Sequence, residues 1–248
     1  MNFQKVKELI KKKLKKKIKK IKKNMETEFR TDLKIIVIGP PASGKTSFVN
    51  KWTKNTFSET YKSTIISEFG FKIYEHKNLL YRIQMWDIGG QDKSPTITKL
   101  FSKDSHGCVV INDVTKINEL EETINWKKSV DDSTCFLDGD KIPCILIQNK
   151  CDLINESEYN KCDEINKKSS NDNGFIGCFM TSVKEGKNVN EAMDFLIEKI
   201  LDRMEKYASN GNIVFSDQRR RNTIKLKNSS NRTSVHSTKD DSGCCSKN

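Results

Sequence analysis

The stretch LKIIVIG (33 to 39) runs directly into GPPASGKT (39 to 46), and this junction limits the fold more than any other part of the chain. A near-continuous apolar run fits a strand buried on both faces, as in a parallel sheet, better than the alternation of a half-exposed strand. The next eight residues have the spacing G-x-x-x-x-G-K-T, and SFVNKWTKN (47 to 55) then has the pattern of an amphipathic helix. Strand, glycine-rich turn and helix in that order gather backbone N–H groups at a helix N-terminus, which is a cradle for phosphate. Gly39 and Gly44 let the backbone curl, and Ala42, Ser43, Gly44, Lys45, Thr46 and Ser47 are expected to line the phosphates. Lys45 is placed to reach the β and γ oxygens, and the Thr46 hydroxyl to bind Mg²⁺. Pro40 and Pro41 lack N–H groups but precede most of the donors.

Three further stretches extend this chemistry. In WDIGGQ (86 to 91) Asp87 can hold Mg²⁺ through water, the Gly90 amide can meet a γ-phosphate, and Gln91 can orient an attacking water. In NKCD (149 to 152), after the apolar run IPCILIQ, Asp152 can accept from guanine N1 and N2. Asn149 can fix the N7 edge and the Lys150 stem can lie over the ring. Adenine lacks the matching donors and would leave the carboxylate unpaired, so this element selects GTP over ATP. TSVK (181 to 184) adds Ser182, Val183 and Lys184, with the Val183 amide available to guanine O6.

Charge is concentrated at one end. Of 45 basic and 33 acidic side chains, twelve Lys and only Glu8 lie in MNFQKVKELIKKKLKKKIKKIKK (1 to 23), so nearly all of the net charge of +12 belongs to this arm. A nucleic-acid-binding domain carries its positive footprint on a folded face, so no nucleic acid is expected as a partner. Phe3, Val6, Ile10, Leu14, Ile18 and Ile21 recur at three or four residues, the period of one helix face. An apolar stripe walled by Lys fits an anionic membrane surface; a solvated low-complexity tract is the plainer alternative.

A length of 248 residues with 35% hydrophobic content fits one buried domain with tails. No run approaches the roughly 18 apolar residues of a spanning helix, and no signal-peptide pattern is present, so a cytosolic chain is expected. The eight Cys show no paired CxxC spacing, which points away from a zinc site or a disulfide framework. From Ser209 onward Ser, Asn, Arg and Lys dominate, the composition of a flexible tether. It ends SGCCSKN, where Ser246, Lys247 and Asn248 make a poor C-a-a-X ending after Cys245.

Together these elements resemble the Ras superfamily of small GTPases and, within it, the Rab family, from about Asp32 to Glu205 and again at the C-terminus. YKSTI (61 to 65) is similar to the first switch, with Thr64 capping Mg²⁺ and sensing the γ-phosphate, and Phe57 stands where the family packs an aromatic edge on guanine. NDVT (112 to 115), IPCILIQNKCD and TSVKEGKNVNEAMDFL are similar to Rab segments, and WKKSVDDSTCFLDGDKIP (126 to 143) is most similar to the branch associated with lysosome-related organelles. The resemblance implies GTP/GDP and Mg²⁺ as cofactors, with Gln91, Lys45 and Thr64 catalytic and Thr46, Thr64 and Asp87 at the metal. It implies double geranylgeranylation at Cys244 and Cys245 and a place on the cytoplasmic face of an intracellular membrane, cycling with cytosol. It also implies effectors read through 61–71 and 87–103, an exchange factor, a GTPase-activating protein, a Rab escort protein and a GDP-dissociation inhibitor. Ile66, Gly89, Ser94 and Pro95 depart from the Rab pattern, all on the two switches. An Arf-like GTPase and a nucleotide-binding scaffold with impaired hydrolysis are the alternatives.

The expected fold is α/β, a doubly wound, mostly parallel six-stranded sheet with helices on both faces. Strands are expected near 33–39, 68–76, 79–87, 107–113, 143–149 and 176–180, with helices after 44, 93, 118, 159 and 188. The arm takes 1–30, the GTPase domain 31–207 and the tail 208–248.

Overall fold

The computed structural model describes residues 29–60, 63–64, 67–90 and 95–211, with backbone alone for 29, 30, 95–97 and 117. The expectations for the arm up to residue 28, for Gln91 and for Cys244 and Cys245 lie outside these residues.

Six strands, β1 (Phe29–Ile38), β2 (Ser67–His76), β3 (Leu79–Ile88), β4 (Gly107–Asp113), β5 (Cys144–Asn149) and β6 (Gly177–Met180), form one sheet. Their order is β2-β3-β1-β4-β5-β6. All neighbours run parallel except β2 and β3, which form an antiparallel hairpin. Its two-residue turn, Lys77 and Asn78, has positive φ at both positions, the backbone that matches the twist of paired strands. Ile35 to Ile38, Val109 to Ile111 and Ile145 to Ile147 are fully buried, as central parallel strands require.

Five α-helices connect the strands: α1 (Lys45–Lys54), α2 (Pro95–Ser102), α3 (Leu120–Asp131), α4 (Glu156–Asp172) and α5 (Val189–Ser209). Gly70 of β2 lies against Val49 and Thr53 of α1, whereas Trp86 of β3 meets Phe101 of α2. Trp86 is paired with Phe69, the neighbour of Gly70, so α1 and α2 sit on opposite faces. Pro95 opens α2, where its missing N–H removes no bond. In α4 Asn155 and Glu158 form a capping box, Asn155 Oδ1 accepting the Glu158 amide at 2.9 Å and Glu158 accepting the Asn155 amide at 3.0 Å. That box starts the helix at 156, earlier than expected. The extended segment before β5 is clamped to α5: Arg203 binds Asp138 through two nitrogens, donates to the Lys141 carbonyl at 2.8 Å and lies 4.5 Å over Phe136. The six described cysteines are free. Among the described residues no helix is long and apolar enough to cross a membrane.

Strand order reverses direction of growth at β1: the chain builds outward to β3 and β2 on one side and to β4, β5 and β6 on the other. The crevice beyond the carboxyl ends of β1 and β4 is where such sheets bind ligands. Gly39, Asp87, Asp113, Asn149 and Thr181 all stand at those strand ends.

Candidate guanine-nucleotide site

A cleft of ≈ 730 Å³ lies there, walled by Ala42, Gly44 to Ser47, Phe57, Thr64, Gly90, Asn149, Lys150, Asp152, Val183 and Lys184 among others. The glycine-rich turn, Thr64, Gly90 and the segments after β5 and β6 therefore face one space.

Lys45 is buried, and its ammonium donates to the carbonyls of Gly39 at 3.0 Å and Pro40 at 2.8 Å. Burial pushes its pKa down to about 8, against the pull of Asp87. Beside it, Thr46 Oγ1 stands 2.8 Å from Thr64 Oγ1 and donates to Asp87 Oδ2. Asp87 is fully buried and its Oδ1 has no hydrogen-bond partner. Burial raises its pKa to about 6, while Thr46 and Lys45 work in the opposite direction. Gly90 fits only because it lacks a side chain: a Cβ there would stand 2.5 Å from Lys45 Nζ and 2.7 Å from the Gly39 carbonyl and the Pro41 nitrogen.

The base end is built around Asn149. Its Nδ2 donates to the Ser43 carbonyl at 2.9 Å, and its Oδ1 accepts the Val183 amide at 3.1 Å. Gly44, at φ 98, leaves room for this reach, since a Cβ there would meet Asn149 Nδ2 at 2.3 Å. Lys150 adopts the left-handed conformation at φ 67, and its ammonium is tied to Asp113 Oδ2 at 2.6 Å, which holds the stem along the cleft. Ser182 is buried and its Oγ accepts the Glu185 amide at 3.2 Å. Lys184 bridges to Glu59 at 3.4 Å across the opening beside the part-exposed Phe57.

Sequence reading missed the supports. Asp113 anchors Lys150, and below it runs a buried chain of side chains. Thr123 Oγ1 donates to Asn112 Oδ1 at 3.0 Å, Asn112 Nδ2 to Gln148 Oε1 at 3.0 Å, and Gln148 Nε2 to Asn166 Oδ1 at 2.9 Å. It ties α3, β4, β5 and α4 together under the base loops. The available signal was a polar residue ending each apolar run, Asn112 in VVIND and Gln148 in CILIQN.

Residues 34–202 match the Ras family profile. Ras-related protein Rab-7L1 of Homo sapiens is 38% identical over 169 residues, covering 68% of this chain and 82% of that protein. Ras-related protein Rab-32A of Dictyostelium discoideum is 37% identical over 171 residues, 68% of this chain and 77% of the relative. Ras-related protein Rab-32 of Homo sapiens is 32% identical over 198 residues, 79% and 87% of the two chains.

The chain belongs to the Rab family of small GTPases. As such it binds GTP and GDP, hydrolyses the first to the second and acts as a switch in membrane trafficking. The likeness to Rab-32 and Rab-7L1 agrees with the lysosome-related branch read from the segment 126–143 of this Rab.

Proposed function

We propose that this Rab reads guanine with Asp152, holds the phosphates with the loop from Gly39 to Ser47, and uses Thr46, Thr64 and Asp87 to hold Mg²⁺. The convergence of Thr46, Thr64 and Asp87 beside the Lys45 ammonium carries this reading. Three hard oxygens at a buried carboxylate with an unsatisfied Oδ1 suit the ion. Held by these three residues, Mg²⁺ would supply positive charge against the phosphates.

The chain's own groups do the rest. Lys45, now held by two carbonyls, turns to the phosphate oxygens, whose charge favours its protonated form. The Gly90 amide meets the γ-phosphate, and Gln91 orients the water. Thr64 couples the first switch to the same phosphate, so hydrolysis releases both switches. Asn149 braces the wall between Ser43 and Val183 and presents its amide toward the N7 edge. The Val183 N–H shifts from Asn149 to guanine O6. Stretches 61–71 and 87–103 contain no Arg, so a GTPase-activating partner supplies that charge and the intrinsic rate is on the order of 10⁻⁴ to 10⁻² s⁻¹.

Effectors and the exchange factor read the two switches; the exposed Phe69 and Phe71 and the neighbouring Trp86 and Phe101 give that region an apolar surface. Prenyl groups at Cys244 and Cys245, delivered by an escort protein and masked by a GDP-dissociation inhibitor, hold the chain on the cytoplasmic face of an intracellular membrane. The Lys-rich arm adds a second hold on anionic lipid, each Lys near the surface contributing about 1 kcal/mol.

Asp152→Asn tests the base assignment. The variant should lose GDP affinity and gain affinity for xanthosine diphosphate, whose C2 carbonyl accepts from the new amide. Unchanged preference for GDP would remove Asp152 from the base site.

A further inference from the structure

One face of the outer hairpin is met by a helix, α2, at its Trp86 end alone among the described residues. Gly70 faces α1, Lys72 lies 4.7 Å over Trp52 of α1, and Tyr74 hydrogen-bonds Asp194 of α5. The alternate β2 residues point the other way, and Phe69 and Phe71 are 52% and 56% exposed. Phe69 meets Trp86 across the strands at 5.3 Å and Phe71 at 6.4 Å; Phe101 touches the Trp86 end of this aromatic strip, and the Lys34 ammonium lies 5.1 Å over the Trp86 ring. Half-buried Ile73 and Leu80 continue it toward the start of β1, with Gln84 and the Asp32-bound Arg82 beside them on β3. An exposed apolar strip on an edge hairpin marks a docking surface or an aggregation hazard.

We propose that the N-terminal arm of the same chain covers this strip, seating the stripe from Val6 to Ile18 on Phe69, Phe71 and Trp86. The place where the described chain begins supports it: β1 starts at Phe29, in register with Leu80 at the far end of the strip. From Leu80 to Trp86 the strip runs about 20 Å at roughly 3.3 Å per residue. Residues 3–23 as a helix measure about 31 Å, and residues 24–28 extended reach about 17 Å, enough to turn back and lie along it. A single narrow apolar stripe matches the width of a two-stranded ribbon, while exposed Glu75, on the same face of β2 as Phe71, lies within reach of the Lys walls. Tethering raises the local concentration of the arm to the order of millimolar, so a contact too weak to hold a free peptide still forms in cis.

The stripe cannot face protein and lipid at once. Resting on the membrane reading of the arm, this makes the anionic surface the signal that uncovers the strip for a partner. In solution the arm shields it; on the target membrane the arm leaves.

The full-length, GDP-loaded protein tests this with benzoylphenylalanine in place of Leu14. Illumination should give an adduct of monomer mass mapped to 67–86, and hydrogen exchange of residues 3–23 should be slowed about fivefold or more. Phe69→Ser with Phe71→Ser should abolish both effects. So should Ser at Val6, Ile10 and Ile18, changes that leave the folded domain untouched. A dimer-mass adduct, an adduct elsewhere, or arm exchange indifferent to both sets of changes overturns the proposal. Vesicle binding by the Phe69→Ser, Phe71→Ser protein is read separately: if docking fails while vesicle binding persists, the membrane role of the arm stands.

Discussion

Asn149 Nδ2 donates to the Ser43 carbonyl at 2.9 Å, joining the end of β5 to the phosphate loop across 106 positions of sequence. With the Val183 amide on its other side-chain atom, one buried residue fixes the relative position of phosphate and base loops. Asn149→Ala leaves a buried carbonyl and a buried N–H unpaired, each costing about 1–3 kcal/mol. GDP release should accelerate by about tenfold or more, with a lower melting temperature for the nucleotide-free protein. Stopped-flow release of a fluorescent GDP analogue and calorimetry measure the two effects.

Gly90→Ala should separate the two nucleotides. The added Cβ at 2.5 Å from Lys45 Nζ and 2.7 Å from the Gly39 carbonyl pushes the second switch away from the phosphate loop. Only GTP has a γ-phosphate to lose the Gly90 amide, so GTP affinity should fall about tenfold or more relative to GDP, the size of one hydrogen bond to a charged group. Equal losses for both nucleotides would show that the glycine serves the loop fold alone.

His106 should make stability depend on acid. Its Nδ1 accepts the Lys34 amide at 3.1 Å while its own amide donates to the Lys34 carbonyl at 2.8 Å, pinning the start of β4 to β1. Burial lowers its pKa to about 4; Asp104 and Asp32 pull upward and Lys34 downward. The unfolded chain therefore takes the proton first, so the neutral ring's contribution is present above pH 6.5 and is lost as pH falls toward 4. Between pH 7 and 5 the wild type should lose about 2 kcal/mol more than His106→Gln, which keeps an acceptor without titrating. Denaturant melts of both proteins at the two pH values check it.

How far the sequence carried depends on how local each cause is. Buried parallel strands are legible because Ile35 to Ile38, Val109 to Ile111 and Ile145 to Ile147 need apolar residues on both faces. The start of β1 lies four residues ahead of the apolar run because Arg30, Thr31 and Asp32 are polar; it joins the sheet through pairing with β3, where Asp32 binds Arg82. The start of α4 was placed late because the Asn155 and Glu158 box precedes the first buried residue, Cys162. The residues that line the cleft stand out in the sequence because G-x-x-x-x-G-K-T, NKCD and TSVK have fixed spacing. The bonds between them do not. Asn149 to Ser43, Lys150 to Asp113 and the chain through Asn112 and Gln148 join distant segments, and no local pattern announces them. The aromatic strip is likewise assembled from Phe69, Trp86 and Phe101 on three elements.

Single-turnover hydrolysis of preloaded GTP, in the wild type and in Gln91→Leu, tests the switch most directly. The wild type should convert bound GTP to GDP on the order of 10⁻⁴ to 10⁻² s⁻¹, and Gln91→Leu should slow this about tenfold or more while GDP affinity stays unchanged. A wild type that keeps its GTP as long as the variant does would contradict a hydrolysing switch and leave a nucleotide-binding scaffold.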